Sequence, residues 1–202
     1  MCKKVIGICG VARSGKDSFC NLACEILKKE YGLIGTRYAL ADALKDDMRD
    51  FLFDKVGIDV YTTDDDEKKI IRPLLVEYGR CKRIQTKARY WTSKVEKQIR
   101  DDEFSDIAFV TDVRYAEYEL DELQWIRKSM GGKLVHVSRY DLNEFNEKVF
   151  IKPPNIDEER NDPILWQHAD VKFQWKNVTK NDEPDWGYMK SEIKNIIKTL
   201  ID

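Results

Sequence analysis

The sequence predicts an α/β fold in which helices wrap both sides of an open, mostly parallel sheet. Three observations lead there. Two short apolar runs, at residues 5–9 and 107–111, have the unbroken apolar character of strands buried on both faces. Other stretches carry apolar residues at the 3.6-residue helical period, as Phe19, Leu22, Ala23, Ile26 and Leu27 do. Strand-like and helix-like segments then alternate along the chain, as crossover connections between parallel strands require.

Taken in order, residues 5–9 are the first strand and 16–30 the first helix. Residues 36–39 read as a second strand and 41–53 as a helix. An acidic turn at 62–67 caps a helix expected from about 68 towards Gly79, with Arg72 near its start. Residues 86–99 form a further amphipathic stretch, and 107–111 suit a central strand. A helix over 117–130 should stop at Gly131 and Gly132, a good C-terminal signal. Strands at 134–137 and, more weakly, 171–175 precede a closing helix at 186–200, where Ile193, Ile196, Ile197 and Leu200 keep helical spacing. Residues 140–158 show almost no periodicity and read either as a plain surface loop or as a lid.

Composition narrows the class. The 202 residues are 42% apolar, enough for a packed core, and 35 basic side chains against 37 acidic ones leave a formal charge of −2. That balance argues against a nucleic-acid coat or a polybasic membrane arm. No apolar run approaches the ~20 residues of a membrane span. Arg13, Lys16 and Asp17 interrupt the apolar start before it resembles a signal peptide. Five cysteines without paired spacing fit reduced thiols in a cytoplasmic setting. Repeats, low-complexity tracts and Pro/Gly/Ser-rich linkers are absent, so one domain over 1–202 is expected.

The sharpest local signal is Gly10, Val11, Ala12, Arg13, Ser14, Gly15, Lys16, Asp17, Ser18. It has the G-x-x-x-x-G-K spacing of a phosphate-binding loop and sits between a predicted strand and a predicted helix. Glycines let successive backbone N–H groups turn inwards around a phosphate, the helix presents its positive end, and Lys16 neutralises the outer phosphates. Asp17 stands where Ser or Thr normally offers Mg²⁺ a hydroxyl, with Ser18 one step later. Its carboxylate is a hard-cation ligand, and stabilising the helix N-terminus is the alternative.

Asp112 and Arg114 form the second constellation. An acid at the carboxyl end of a buried strand lies where open α/β sheets bind ligands, and in phosphate-loop enzymes such an acid holds Mg²⁺ or its waters. Arg114 would enter the same crevice and suits a second anion. The alternative is an Asp capping a helix and an Arg paired with Glu117. Lys45 and Arg72 are further cations for an acceptor site, or else solvated surface charges. Tyr90 and Trp91 offer a stacking surface for a base, or else core. Cys20 and Cys24 share a helix face far from His136 and His168, so they read as core thiols. His136 reads as structural, no Ser-His-Asp array is evident, and residues 177–182 lack the contiguous Asn-Lys-x-Asp of guanine-specific switches.

These residues resemble the deoxynucleoside monophosphate kinases of tailed phages. The likeness runs through the loop with its unusual Asp17, Leu40 to Lys45, Arg72 to Gly79, Tyr90 and Trp91, Val110 to Arg114, and Met130 to Arg139. It extends loosely over 157–170. Animal-type phosphomevalonate kinases look similar at the loop, the Leu-Lys motif and the strand-end Asp-x-Arg. Ala43 departs from the proline usual before that Leu-Lys, and the lid matches poorly. The resemblance implies a three-layer P-loop kinase fold with a helical acceptor-binding region at about 41–101 and a mobile lid at about 140–162. It implies ATP and Mg²⁺ as cofactors, small nucleotides as partners, a monomer or homodimer, and a phage-infected host cytosol as location. In that frame the backbone of residues 10–18 and Lys16 hold ATP, with Asp17, Ser18 and Asp112 at the metal. Lys45, Arg72, Tyr90, Trp91 and Arg114 take the acceptor, and Arg139 or Arg160 closes from the lid side. A non-enzymatic nucleotide switch is the reading from a different class.

Overall fold

In the computed structural model, which describes residues 3–177 and 186–201, strand β1 (Lys4–Cys9) occupies the middle of the sheet. Its last five residues are all buried, as an unbroken apolar run demands. Around it lie β2 (Gly35–Tyr38), β3 (Ile107–Val113), β4 (Lys133–Leu142) and β6 (Val171–Lys176), in the order β2-β3-β1-β4-β6 with every pairing parallel. The short β5 (Lys148–Phe150) is antiparallel to the far end of β4, where Tyr140 pairs with Phe150 on one edge and with Lys176 on the other.

Alternation along the strands divides the core in two. Ile6, Ile8, Val135, Val137 and Phe173 face α1 (Lys16–Ile26) and α7 (Trp186–Ile201) through Phe19, Ala23, Ile193, Ile197 and Leu200. Val5, Cys9, Ala108, Val110 and Leu134 face the other way. They meet α4 (Arg89–Asp101), α5 (Glu122–Gln124) with the π-helical turn Trp125–Ser129 that continues it, and α6 (Ile156–His168). The result is a three-layer α/β fold. Helices α2 (Leu40–Val56) and α3 (Asp65–Thr86) carry a small core of their own, Leu52, Ile58, Val60 and Ile71. No helix among the described residues is long and apolar enough to cross a membrane.

Four expectations need correction, and in each a polar side chain overrides the apolar period. Helix α3 begins at Asp65 because the Asp64 carboxylate accepts from the amides of Asp66 and Glu67. It continues past Pro73 to Thr86, so Arg72 lies inside the helix rather than at its start. The stretch expected over 86–99 is split. Lys87 and Ala88 take positive φ (48° and 70°), closing α3 through Ala88 N–H to Arg83 O at 2.8 Å. Thr86 Oγ1 then accepts the Tyr90 amide as α4 begins.

Residues 117–121 are a loop rather than helix. Asp121, fully buried, accepts from the amides of Glu117 (2.9 Å), Tyr118 (3.2 Å) and Glu122 (3.0 Å) and pairs with Arg83 at 2.6 Å. Residues 140–158 are a hairpin followed by the start of a helix. Asn143 Oδ1 accepts from the amides of Phe145 and Glu147 in the turn, and Asn155 Oδ1 accepts from Glu158 to cap α6. The side chains of β5 are all exposed, which is why no apolar pattern marks it.

Asp121→Ala leaves Arg83, which is only 12% exposed, with Glu117 as its one remaining ion-pair partner among the described residues, and strands three backbone amides. Breaking such a buried pair typically costs about 3–5 kcal/mol. Urea unfolding should show a loss of that order, and a loss near zero would remove Asp121 as the anchor of this loop.

Candidate phosphate-binding site

The loop joining β1 to α1 has little freedom. Gly10 has φ 127°, and a Cβ there would sit 2.2 Å from the Val137 carbonyl oxygen. Gly15 has φ 94°, and a Cβ there would fall 1.6 Å from the Trp175 ring. Both positions demand glycine on two counts. Trp175, from β6, also donates its indole N–H to the Ser14 carbonyl at 2.6 Å, so the far strand clamps the loop from below. The Ser14 hydroxyl is fully buried and has no hydrogen-bond partner among the described residues.

Lys16, the first residue of α1, folds back over the loop. Its ammonium donates to the carbonyls of Gly10 (2.8 Å) and Val11 (2.9 Å), and the residue is only 8% exposed. No carboxylate lies within 4 Å of it among the described residues. Burial pushes its pKa down first, then the positive charge of Arg114; Glu158, Cys9 and Asp112 push the other way. These charges, with Glu158 bonded to both Ala12 and Arg114, put the loop lysine, the β3 carboxyl end and α6 in one electrostatic neighbourhood.

The two β3 residues do reach this neighbourhood. Arg114 donates from Nη1 to Glu158 Oε1 at 3.2 Å, not to Glu117. Asp112 accepts from the amides of Leu40 (2.8 Å) and Ala41 (2.7 Å), so it caps α2 and fixes where that helix begins. Burial pushes its carboxyl up. Asp17 turns away: it is exposed and bridges to Arg37 of β2 at 3.0 Å, with Asp42 on the same guanidinium at 2.7 Å. Asp17 and Asp112 thus have separate partners, and no cluster of three or more His, Cys, Asp or Glu fit for a metal occurs among the described residues. A Mg²⁺ ion brought in on phosphates needs only one or two protein ligands. Asp112 and the exposed Ser18 carry the oxygens that would supply them.

The remaining expected residues divide. Arg139, on β4, donates to the Arg13 carbonyl at 3.4 Å and so touches the loop. Lys45 lies over the Tyr61 ring at 5.1 Å, while Arg72 on α3 and Arg160 on α6 are exposed. The Trp91 ring is in the core with its N–H on Gly79 O at 3.3 Å. The half-buried Tyr90 ring packs edge-on against it at 4.7 Å, with the ammonium groups of Lys82 and Lys94 about it at 4.8 and 5.0 Å and its hydroxyl on Asp47, so both rings are already engaged. Cys20 and Cys24 are free thiols on α1.

Sequence reasoning missed Glu158 and Trp175, which touch the loop from 146 and 161 residues away. It also missed a row of hydrogen bonds from Ser138 Oγ to His136 Nδ1 (3.1 Å) and from His136 Nε2 to Asp162 (3.0 Å). That row lines a cavity of about 270 Å³ beside Val11, walled by Phe150 and Trp166. Only the i,i+2 spacing of His136 and Ser138 on one strand hinted at it. Glu122 is a further buried acid, accepting the amides of Arg114 and Tyr115 and so holding the end of β3; burial and Asp121 raise its pKa to about 8.

No protein-family model matches this chain, and no curated protein does. Among solved structures it is similar to a shikimate kinase from Acinetobacter baumannii in complex with shikimate. That likeness has 11% identity, covers 98% of this chain and 93% of that one, and has a TM-score of 0.44. It is too slight to transfer any role.

Two outcomes follow from the geometry. Trp175→Phe keeps an aromatic ring but leaves the Ser14 carbonyl unpaired, a loss of about 1–3 kcal/mol. Unfolding should register it, with faster amide exchange across residues 10–16; unchanged exchange there would show that the clamp is not needed. Glu122 keeps its proton in the folded chain up to about pH 8, against an ordinary 4.5. The folded state then binds more protons than the unfolded one in that window, so this group makes stability fall as pH rises through it, by up to about 1.4 kcal/mol per unit. Glu122→Gln should flatten the pH 5–8 stability profile, and an unchanged slope would contradict the assignment.

Proposed function

We propose that this chain is an ATP-dependent kinase that phosphorylates a deoxynucleoside monophosphate, giving the diphosphate and ADP. The observation that carries the reading is the state of the loop. A buried Lys16 is bound by its own loop carbonyls, beside a buried unpartnered Ser14 hydroxyl and an Arg114 two residues past Asp112. Such a cluster of cations and donors is arranged for phosphates on the donor side and an anion on the acceptor side.

In this reading Lys16 and the amides of residues 10–18 hold the donor phosphates, and Arg139 supports the loop from β4. Arg114 anchors the acceptor phosphate, with Lys45, Arg72 and Arg160 as further cations from α2, α3 and α6. An acceptor phosphate oxygen attacks the γ-phosphorus; the bond from that phosphorus to the bridging oxygen breaks, and ADP leaves with the electron pair. Asp112 and Ser18 would hold the Mg²⁺ that accompanies ATP, which would supply neutralisation of the developing charge. Asp17 orients the mouth of the site through Arg37. A phosphate nucleophile is already ionised near neutral pH, so positioning and charge neutralisation supply the rate.

A second reading is favoured by one observation. Tyr90 and Trp91 are engaged in packing and hydrogen bonds, so the base-stacking surface expected of a nucleotide acceptor is not supplied there. A different phosphorylated metabolite, such as a mevalonate phosphate, would need none.

A coupled ADP-release assay across the four deoxynucleoside monophosphates and phosphomevalonate tests both. Acceptor-dependent ADP release with at least one monophosphate is expected. Lys16→Ala should lower kcat by about a hundredfold or more in a chain that still folds, with a lower melting temperature because the Gly10 and Val11 carbonyls lose their donor. Release with phosphomevalonate alone would select the second reading, and near-wild-type turnover in the variant would end the kinase reading altogether.

A further inference from the structure

We infer that Glu158 is an internal anion that occupies the phosphate loop of the ligand-free protein and gives way when the transferring phosphoryl group enters. This rests on the donor-site reading above. Glu158 is the third residue of α6 and is 7% exposed. Its Oε2 accepts the loop amide of Ala12 at 2.7 Å, and its Oε1 accepts from Arg114 Nη1 at 3.2 Å and from Asn155 Nδ2 at 3.2 Å. One carboxylate thus joins the phosphate loop, the end of β3 and the first turn of α6.

Part of that arrangement has an ordinary explanation. Asn155 and Glu158 exchange hydrogen bonds as a helix cap, with the Glu158 amide on Asn155 Oδ1 at 2.9 Å. Capping alone leaves Ala12 and Arg114 unexplained. A carboxylate carries the charge and acceptor oxygens that a phosphate offers, and here its two oxygens are bound by one loop amide and by one guanidinium N–H. The position it holds lies between the donor loop and the residue given to the acceptor, where the transferring group must pass.

Two anions do not share one amide and one guanidinium. When the phosphoryl oxygens arrive, the Glu158 bonds to Ala12 and Arg114 break together, and Arg114 exchanges its internal partner for the substrate. The first turn of α6 is released from the loop by the same event and carries Arg160, two residues on, with it. Occupancy of the donor loop is thereby coupled to the position of α6, at the end of the segment expected to act as a lid. In the ligand-free protein the carboxylate keeps the loop amide satisfied, so the loop keeps its shape while it waits.

Glu158→Gln keeps the size and the cap but removes the charge. Calorimetric titration with a non-hydrolysable ATP analogue and Mg²⁺ should show binding about tenfold tighter than wild type, the scale expected for one close like-charge repulsion. Should the Gln variant fail to fold, Glu158→Asp serves in its place. It keeps the charge but is too short to span Ala12 and Arg114, so it too should bind the analogue more tightly. Unchanged or weaker binding in a folded variant would overturn the inference, making Glu158 a cap or a fixed support for Arg114. A wild-type protein that does not bind the analogue at all would instead overturn the donor-site reading on which the inference stands.

Discussion

The tight seat of the loop between β1 and α1 governs the rest of this molecule. Gly10 lies against the Val137 carbonyl and Gly15 against the Trp175 ring, so the chain turns with positive φ at both. No other residue type fits either place. That constraint requires β4 and β6 to lie on one side of β1 in register, since Val137 pairs with Phe173 two residues before Trp175. It also starts α1 where Lys16 can bend back across the loop. Sheet order, loop shape and lysine position are therefore one arrangement.

Around that seat the charges are balanced in a particular way. Lys16, Arg114, Glu158 and Asp112 share one neighbourhood, and three of the four are also tied to backbone: Lys16 to the loop carbonyls, Asp112 to the start of α2, Glu158 to the Ala12 amide. The buried Glu122 holds the end of β3 from behind through the Arg114 and Tyr115 amides. A group that enters among them changes partners rather than solvent exposure. Asp112 ties this cluster to the start of α2 and Glu158 ties it to the first turn of α6, so the proposed exchange at Glu158 would reach α6 through these shared bonds.

Much of this was legible in the sequence where hydrophobic periodicity or glycine spacing decides the outcome. The strand at residues 5–9, the loop at 10–18, the helix after it and the central strand at 107–111 all emerge from short-range pattern. Boundaries set by a side chain bonding the backbone were not legible. Asp64 moves the start of α3, Asp121 unwinds residues 117–121, and Asn143 turns an aperiodic stretch into a hairpin. The site shows the same split. Lys16 and Arg114 follow from spacing, whereas Trp175 and Glu158 reach the loop only because the sheet brings distant segments together. Asp17 bonds Arg37 and Asp112 bonds the first amides of α2, partners that composition does not reveal. Tyr90 and Trp91 went to packing, the commoner fate of aromatics on an amphipathic helix.

The central claim is that the loop at residues 10–16 is an anion cradle whose own lysine has turned inwards. A crystal structure of the protein with ADP tests it most directly. The account requires the β-phosphate within hydrogen-bond distance of Lys16 Nζ and of the loop amides, with Lys16 released from the Gly10 and Val11 carbonyls and the indole of Trp175 still on Ser14. ADP bound away from this loop, or bound with Lys16 still on those two carbonyls, would contradict it.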